Sequence, residues 1–184
     1  MITTQRLHIR PICSDDYQHL QELHSDPDVM KFIGQGTTMT PDQVFNHCCS
    51  MIGHWAMKGV GSFAIFEQET GDFVGRCGFL YREEWDSLEL GTLIAKRHWG
   101  KEYAAEATHS VVRWGFEKTG RGHFTGGVMP GNSRCASFIK KIGWVKEMTF
   151  SAPEGFDIDI YKITKEAAQE NDARLSSRHI GEGA

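Results

Sequence analysis

The chain has 184 residues, 40% hydrophobic and 24% charged, with a net charge of -4 at pH 7. That size and balance fit one folded domain with a sizeable core. The slight acidity excludes a general nucleic-acid binder, which presents a basic surface. Five cysteines, an odd number without a C-x-x-C pair, exclude a disulfide framework or zinc ribbon and fit a reducing, cytoplasmic setting. Charges are spread through Met1 to Pro11 without an apolar core, so no signal peptide is expected. No stretch approaches the ~18 apolar residues of a membrane helix, so no membrane association is expected.

In chain order, Leu7 to Pro11 reads as a first strand, and Ser14 is placed to cap a short helix running toward His24. Thr40-Pro41-Asp42-Gln43 predicts a marked helix start: Thr40 at the N-cap, Pro41 in the first turn, Gln43 reaching back in a capping box. Val44, Cys48, Met51, Ile52 and Trp55 follow on one helical face. The period then changes. Ser62 to Glu67, Phe73 to Tyr81 and Leu88 to Ala95 read as three strands, the first two joined by a hairpin turn at Glu69 to Asp72. A basic, glycine-containing loop, Lys96 to Lys101, leads to a helix over Glu102 to Lys118, with Gly120 just beyond its end. His123 to Val128 is a fifth strand, although Gly126 and Gly127 either weaken it or permit close backbone approach. A helix follows from Ser133 to Ile142, then closing strands near Trp144 to Phe150 and Phe156 to Thr164. The reading is one α/β domain over residues 1–164 with a mixed central β-sheet of about seven strands flanked by helices on both faces. The meander supplies antiparallel pairs, and the later strand-helix-strand unit supplies a parallel one. A polar tail fills residues 165–184.

The most informative segment runs from Glu89 to Glu106, where a strand enters a loop and the loop opens a helix. Amides at a helix start carry partial positive charge and can cradle a phosphate, with Gly100 allowing close approach. Lys96, Arg97 and Lys101 add full charges in the same stretch. A plain strand-to-helix turn with solvated basic residues is equally open on these grounds.

Arg97-His-Trp-Gly-Lys-Glu102 resembles the acetyl-CoA loop of the GNAT superfamily, Arg/Gln-x-x-Gly-x-Gly/Ala. Thr4 to Pro11, Asp26-Pro-Asp-Val-Met30, Thr70 to Gly75, Glu89-Leu-Gly91, Trp99-Gly-Lys101, Pro130-Gly-Asn132 and Lys141-Ile-Gly-Trp144 follow the order and spacing of its ribosomal-protein N-acetyltransferase-like branch. The resemblance covers residues 3 to 164. It implies a GNAT fold that opens between the fourth and fifth strands to take acetyl-CoA as co-substrate. The pantetheine arm would bond to the main chain of Leu93 and Ile94. The stretch Arg97, Trp99, Gly100, Lys101, Glu102, Tyr103 and Ala104 would bind the coenzyme, with amides from Gly100 to Ala104 on the pyrophosphate. Asn132 would reach the pantetheine. Trp99 is expected to pack on the sheet rather than stack on adenine.

Glu102 departs from the pattern, standing at the second glycine. A carboxylate suits a helix start but repels a pyrophosphate, so its side chain is expected to turn outward and leave only its N–H for the ligand.

Acetyl transfer needs an unprotonated amine, and a lysine-type amine has a pKa near ~10.4, so a general base helps. Glu89, on the strand before the loop, is the candidate base, with a structural carboxylate as the alternative. Glu83, Glu84 and Asp86 form either an acidic rim or a solvated turn. The tyrosine acid of many relatives is Ile139 here. Cys135, where the branch commonly has serine, is the candidate proton donor, with a small buried residue as the alternative. Nine histidines show no metal-ligand spacing, so no metal is expected. The resemblance implies an amine acceptor, a protein N-terminus or a small, even polycationic, amine. A non-catalytic acyl-CoA-binding module is the alternative, kept open by the missing tyrosine. A dinucleotide redox domain is disfavoured because G-x-G-x-x-G is absent. The closing strands around Phe150 to Phe156 could pair across subunits in a homodimer.

Overall fold

The structure, a computed structural model, describes residues 1–152 and 155–171. These divide into two compact units, one ending at Val111 and the other beginning at Val112.

The first unit carries five strands: β1 (Ile2–Thr3), β2 (Leu7–Pro11), β3 (Ser62–Glu67), β4 (Phe73–Arg82) and β5 (Ser87–Ile94). Each pairs with the next, antiparallel throughout. The longest ladder joins β4 to β5, from Gly75 opposite Ile94 to Arg82 opposite Ser87. Three helices lie between β2 and β3: α1 (Tyr17–Ser25), α2 (Pro27–Met30) and α3 (Pro41–Lys58). Leu20, Leu23, Met30, Val44, Cys48 and Met51 from these helices bury against Ala64 and Leu93. Full burial of each larger aliphatic side chain contributes roughly 1.5–3 kcal/mol, which fixes α1 and α3 to the sheet face bearing Ala64 and Leu93.

The α3 start forms as its sequence predicts. Gln43 N–H donates to Thr40 Oγ1 at 3.3 Å, and Thr40 N–H to Gln43 Oε1 at 2.8 Å. Gly59 closes the helix in the left-handed conformation, its N–H on the Trp55 carbonyl. Ser14 does not cap α1. It opens a 3-10 turn, Ser14–Asp16, in which the Asp16 carboxylate accepts the Cys13 N–H at 2.9 Å and holds Arg10 at 2.7 Å. A carboxylate makes the stronger cap here because it also neutralises the guanidinium.

Helix α4 (Tyr103–Thr119) begins in the first unit and ends in the second. The second unit continues with β6 (His123–Val128), α5 (Ser133–Lys141), β7 (Val145–Ser151) and β8 (Asp157–Thr164). Strand β8 pairs antiparallel with both β6 and β7. Gly126 and Gly127 stand opposite Tyr161 and Ile160 within an unbroken register. The polar tail expected from Lys165 opens with helical residues 165–171, and the rest of it lies outside the described residues. The Phe150 to Phe156 segment expected at a homodimer contact lies partly outside them too.

Candidate active site

Strand β5 delivers the chain into the loop expected to bind the coenzyme. A 3-10 turn, Lys96–His98, is closed by the His98 N–H on the Ala95 carbonyl and the Trp99 N–H on that of Lys96. Gly100 follows at φ +83° and Glu102 at φ +63°, both left-handed. Two left-handed residues in three turn the backbone sharply, and α4 then starts at Tyr103, one residue later than the sequence predicts. The reason is the left-handed backbone of Glu102, which a helix cannot include. Ala105 and Glu106 N–H both reach the Glu102 carbonyl, at 3.0 and 3.2 Å. The amides from Gly100 to Ala104 therefore precede the first closed helical turn, where N–H groups lack intrahelical acceptors. Glu102 keeps its side chain in solvent, so the loop presents backbone dipoles rather than a carboxylate.

The side chains of the loop are largely spent on holding it. Trp99 donates Nε1–H to the Ile94 carbonyl at 2.8 Å, so it braces β5 and both of its N–H groups are engaged within the chain. Arg97 donates to the Phe73 carbonyl at 2.8 Å, tying the loop to the start of β4. Lys96 leaves the loop altogether to meet Asp28 at 2.6 Å. The three basic residues that the sequence groups together thus do not converge. Lys101, next to Gly100 in the loop, lies 3.7 Å from Glu67. Tyr103 is buried and hydrogen-bonds Glu67 through its hydroxyl. Burial, with Arg97 and Lys101 nearby, pushes His98 below its ordinary pKa, so no histidine charge adds to the loop at neutral pH. Loop backbone and Lys101 are thus what fits a pyrophosphate here.

On β5, Glu89 lies opposite Leu80 of β4, on the same sheet face as Arg76, Leu80 and Arg82. Arg82 Nε donates to Glu89 Oε2 at 2.6 Å. The carboxylate retains 19% exposure, enough for solvent or a substrate to reach it. Leu93, two turns of the strand pattern further on, directs its side chain into the core shared with α1 and α3, leaving only main chain for a ligand. In the second unit, Asn132 caps α5, its Oδ1 accepting the Cys135 N–H at 3.1 Å. Only the Asn132 Nδ2 side of the amide remains for a ligand. Burial pushes the Cys135 thiol up, which keeps it protonated at neutral pH.

A cleft of about 490 Å³ opens beside the loop, with Glu22 and Asp26 on one wall and Lys96 and Arg97 on another. Glu89 does not line it. Among the described residues, no helix is long and apolar enough to cross a membrane, and no three His, Cys, Asp or Glu side chains are grouped as a metal site.

Sequence reasoning missed Arg76, Arg82, His24 and His47. Arg76 and Arg82 lie in and just beyond the strand expected over Phe73 to Tyr81, and nothing in their local spacing marks them. Their register partners are Leu93 and Ser87, on the face that also carries Glu89, and only the β4–β5 pairing discloses that shared face.

A strand feeding a left-handed loop and a helix N-terminus gives this α/β fold an arrangement of free amides suited to a phosphate group. The family model for the acetyltransferase (GNAT) domain matches residues 6–145, and the chain belongs to that family. An uncharacterized N-acetyltransferase, p20, of Bacillus licheniformis is 28% identical over 166 residues, covering 88% of this chain and 93% of that protein. The crystal structure of an acetyltransferase from Agrobacterium tumefaciens superposes with a TM-score of 0.78 at 25% identity, covering 89% of this chain and 94% of that one. The crystal structure of a spermidine N-acetyltransferase from Vibrio cholerae in complex with CoA and spermine superposes with a TM-score of 0.75 at 16% identity, covering 90% of this chain and 99% of that one, a likeness of fold alone. The α/β GNAT fold expected from sequence is the fold found, with eight strands among the described residues rather than seven. The protein is an acetyl-CoA-dependent N-acetyltransferase.

Proposed function

We propose that the chain acetylates a primary amine by direct attack within a ternary complex, with Glu89 as general base. Acetyl-CoA supplies the acetyl group as a thioester. The amine nitrogen bonds to the carbonyl carbon, the carbon–sulfur bond breaks, and the sulfur leaves with the electron pair. One amine proton passes to Glu89, directly or through a water, and a proton returns to the departing sulfur. Thiolates leave readily, since thiols have pKa values near ~8.5, so the missing tyrosine acid does not disable the site. Cys135, protonated because it is buried, is the residue assigned to return that proton.

The observation that carries the reading is the placement of Glu89. It is half-buried on the strand that delivers the coenzyme loop, with one oxygen steadied by Arg82 and the carboxylate still accessible. The loop amides from Gly100 to Ala104 bind the pyrophosphate, and the main chain of Leu93 and Ile94 binds the pantetheine. The order of sequence motifs favours the ribosomal-protein N-acetyltransferase-like branch, and the exposed Glu83, Glu84 and Asp86 beside β5 would draw in a cationic amine. Five free thiols suit a cytoplasmic site of action.

The test is release of free thiol from acetyl-CoA in the presence of a panel of amines, with the mass of each acceptor measured before and after. A gain of one acetyl group in an amine, abolished in Glu89→Gln, supports the reading. Thiol release without acetylated amine, or full activity in the variant, rejects it.

A further inference from the structure

Arg76 is a cation in a place built for apolar residues. It is the one charged residue of Phe73 to Phe79, and its neighbours on that stretch of β4 are buried. Its register partners are Ala64 on β3 and Leu93 on β5, both members of the core under α1 and α3. Among the described residues none accepts a hydrogen bond from it, and its Nε is sealed from solvent without a partner. Beside it stand two histidines, His24 on α1 and His47 on α3, with ring centroids 5.3 Å apart. The Nε2 atom of each is likewise buried and unpartnered. Burial and the Arg76 charge push His24 down to about 3 and His47 down to about 4, so both are neutral. Burial also lowers Arg76, yet a guanidinium stays charged at any physiological pH. The residue as a whole keeps partial exposure, yet the sealed Nε carries an unmet hydrogen bond, which costs folding free energy without a compensating partner in the fold.

The guanidinium reaches along the sheet toward the proposed base. A Cβ placed on Gly91 would lie 3.8 Å from Arg76 Nη1, ordinary contact distance, which puts the guanidinium over Gly91. Glu89 precedes Gly91 by two residues on the same face, about 7 Å away along the strand. Among the described residues Glu89 is the one carboxylate close enough to act on Arg76, and Arg82 already engages it. An anion is therefore missing at one end of a short path and an amine is expected at the other.

We propose that Arg76 is a specificity residue that binds a carboxylate of the acceptor, so that the amine substrate is an amino acid or a similar small molecule with its carboxylate a few bonds from its amine. The inference rests on the acetyl-transfer reading and narrows its acceptor. A planar guanidinium pairs with a carboxylate through parallel N–H donors, and an uncharged amide cannot replace that carboxylate. A polycation would place further positive charge against Arg76 and is disfavoured.

The experiment compares free L-amino acids with their carboxamides in the thiol-release assay, for the native protein, Arg76→Met and Arg76→Lys. The expected native preference for the carboxylate is at least about tenfold in kcat/KM, carried mainly by KM. The ratio should fall to within about threefold in Arg76→Met and be partly kept in Arg76→Lys. Equal use of both substrate series by the native protein, or a preference that survives in Arg76→Met, overturns the proposal. Should no amine in either series release thiol, acetyl transfer to amines fails as a reading, and melting shifts still judge Arg76. Stabilisation by amino acids but not by carboxamides, absent in Arg76→Met, upholds the carboxylate site; no shift in the native protein overturns it.

Discussion

Arg82 Nε and Glu89 Oε2 lie 2.6 Å apart across the β4–β5 ladder, so the proposed base is steadied by a guanidinium on the neighbouring strand. The two make different predictions. Glu89→Gln keeps the shape and loses the proton acceptor, and kcat should fall by about 10²–10⁴-fold with little change in the KM for acetyl-CoA. Arg82→Met leaves the carboxylate but frees its rotamer. A smaller loss, about tenfold, should appear in kcat, and Arg82→Lys should restore part of it. Steady-state kinetics on the three variants separates a base from a structural carboxylate, because a purely structural Glu89 would lower melting temperature and both constants together.

Glu102 occupies a left-handed backbone at φ +63°, a conformation that costs a non-glycine residue about 1–2 kcal/mol. Glycine removes that strain but gains freedom in the unfolded chain. The net expectation for Glu102→Gly is stabilisation by about 0.5–1 kcal/mol in urea denaturation. Because the side chain already faces solvent, calorimetry should find CoA affinity within about threefold of the native value, the change expected from one distant, solvent-screened charge. A large tightening would mean that the carboxylate does reach the pyrophosphate.

How far the sequence discloses this protein is seen by comparing these residues. The Thr40–Gln43 capping box is local chemistry, complete within a few residues, and it forms as read. The loop from Lys96 to Ala104 is legible for the same reason, as a strand, a glycine and a helix start in succession. Its details are not. Lys96 is drawn off by Asp28, 68 residues earlier in the chain, and Arg97 by the Phe73 carbonyl. Such long-range partners leave no trace in local spacing. Strand β1, two residues long, is too short to show a period. Arg76 is hidden by alternation: in a strand a single polar residue between apolar ones reads as the wet face, and only the helices packed above it cover part of that face.

Glu106 on α4 ties the N-terminal turn to the helix that follows the loop. It accepts from Thr4 Oγ1 at 2.5 Å, Arg6 N–H at 2.9 Å and Arg6 Nε at 2.7 Å. Burial raises its pKa, but these bonds outweigh it and hold the carboxyl below its ordinary value. A depressed folded value means that the stabilisation is present above the unfolded carboxylate pKa near ~4.3 and is lost as pH falls through the folded one. Glu106→Gln should therefore cost about 1–3 kcal/mol at pH 7, with one acceptor oxygen exchanged for a donor. The gap between variant and native protein should narrow below about pH 4. Urea denaturation at pH 7 and pH 3.5 measures both; a gap independent of pH would assign the loss to packing alone.

His24 and His47 carry the opposite kind of acid sensitivity. Their folded pKa values, about 3 and about 4, lie below the unfolded value near 6.5. Between those limits the unfolded chain binds more protons than the folded one, so stability falls as pH falls. The slope should approach ~1.4 kcal/mol per pH unit for each histidine, beginning near pH 6.5 and continuing to the folded values. His24 is fully buried and its one polar contact is Nδ1 with the Met30 sulfur at 3.3 Å, so His24→Leu loses little hydrogen bonding. That variant should match or exceed native stability at pH 7 and lose less between pH 6.5 and pH 4.5, since leucine takes up no proton. Arg76→Met should act in the same direction, because removing the neighbouring charge lets both histidines protonate inside the fold at higher pH. Denaturation midpoints of the native protein and both variants across that range decide it. Parallel curves for all three would place the acid sensitivity elsewhere in the molecule.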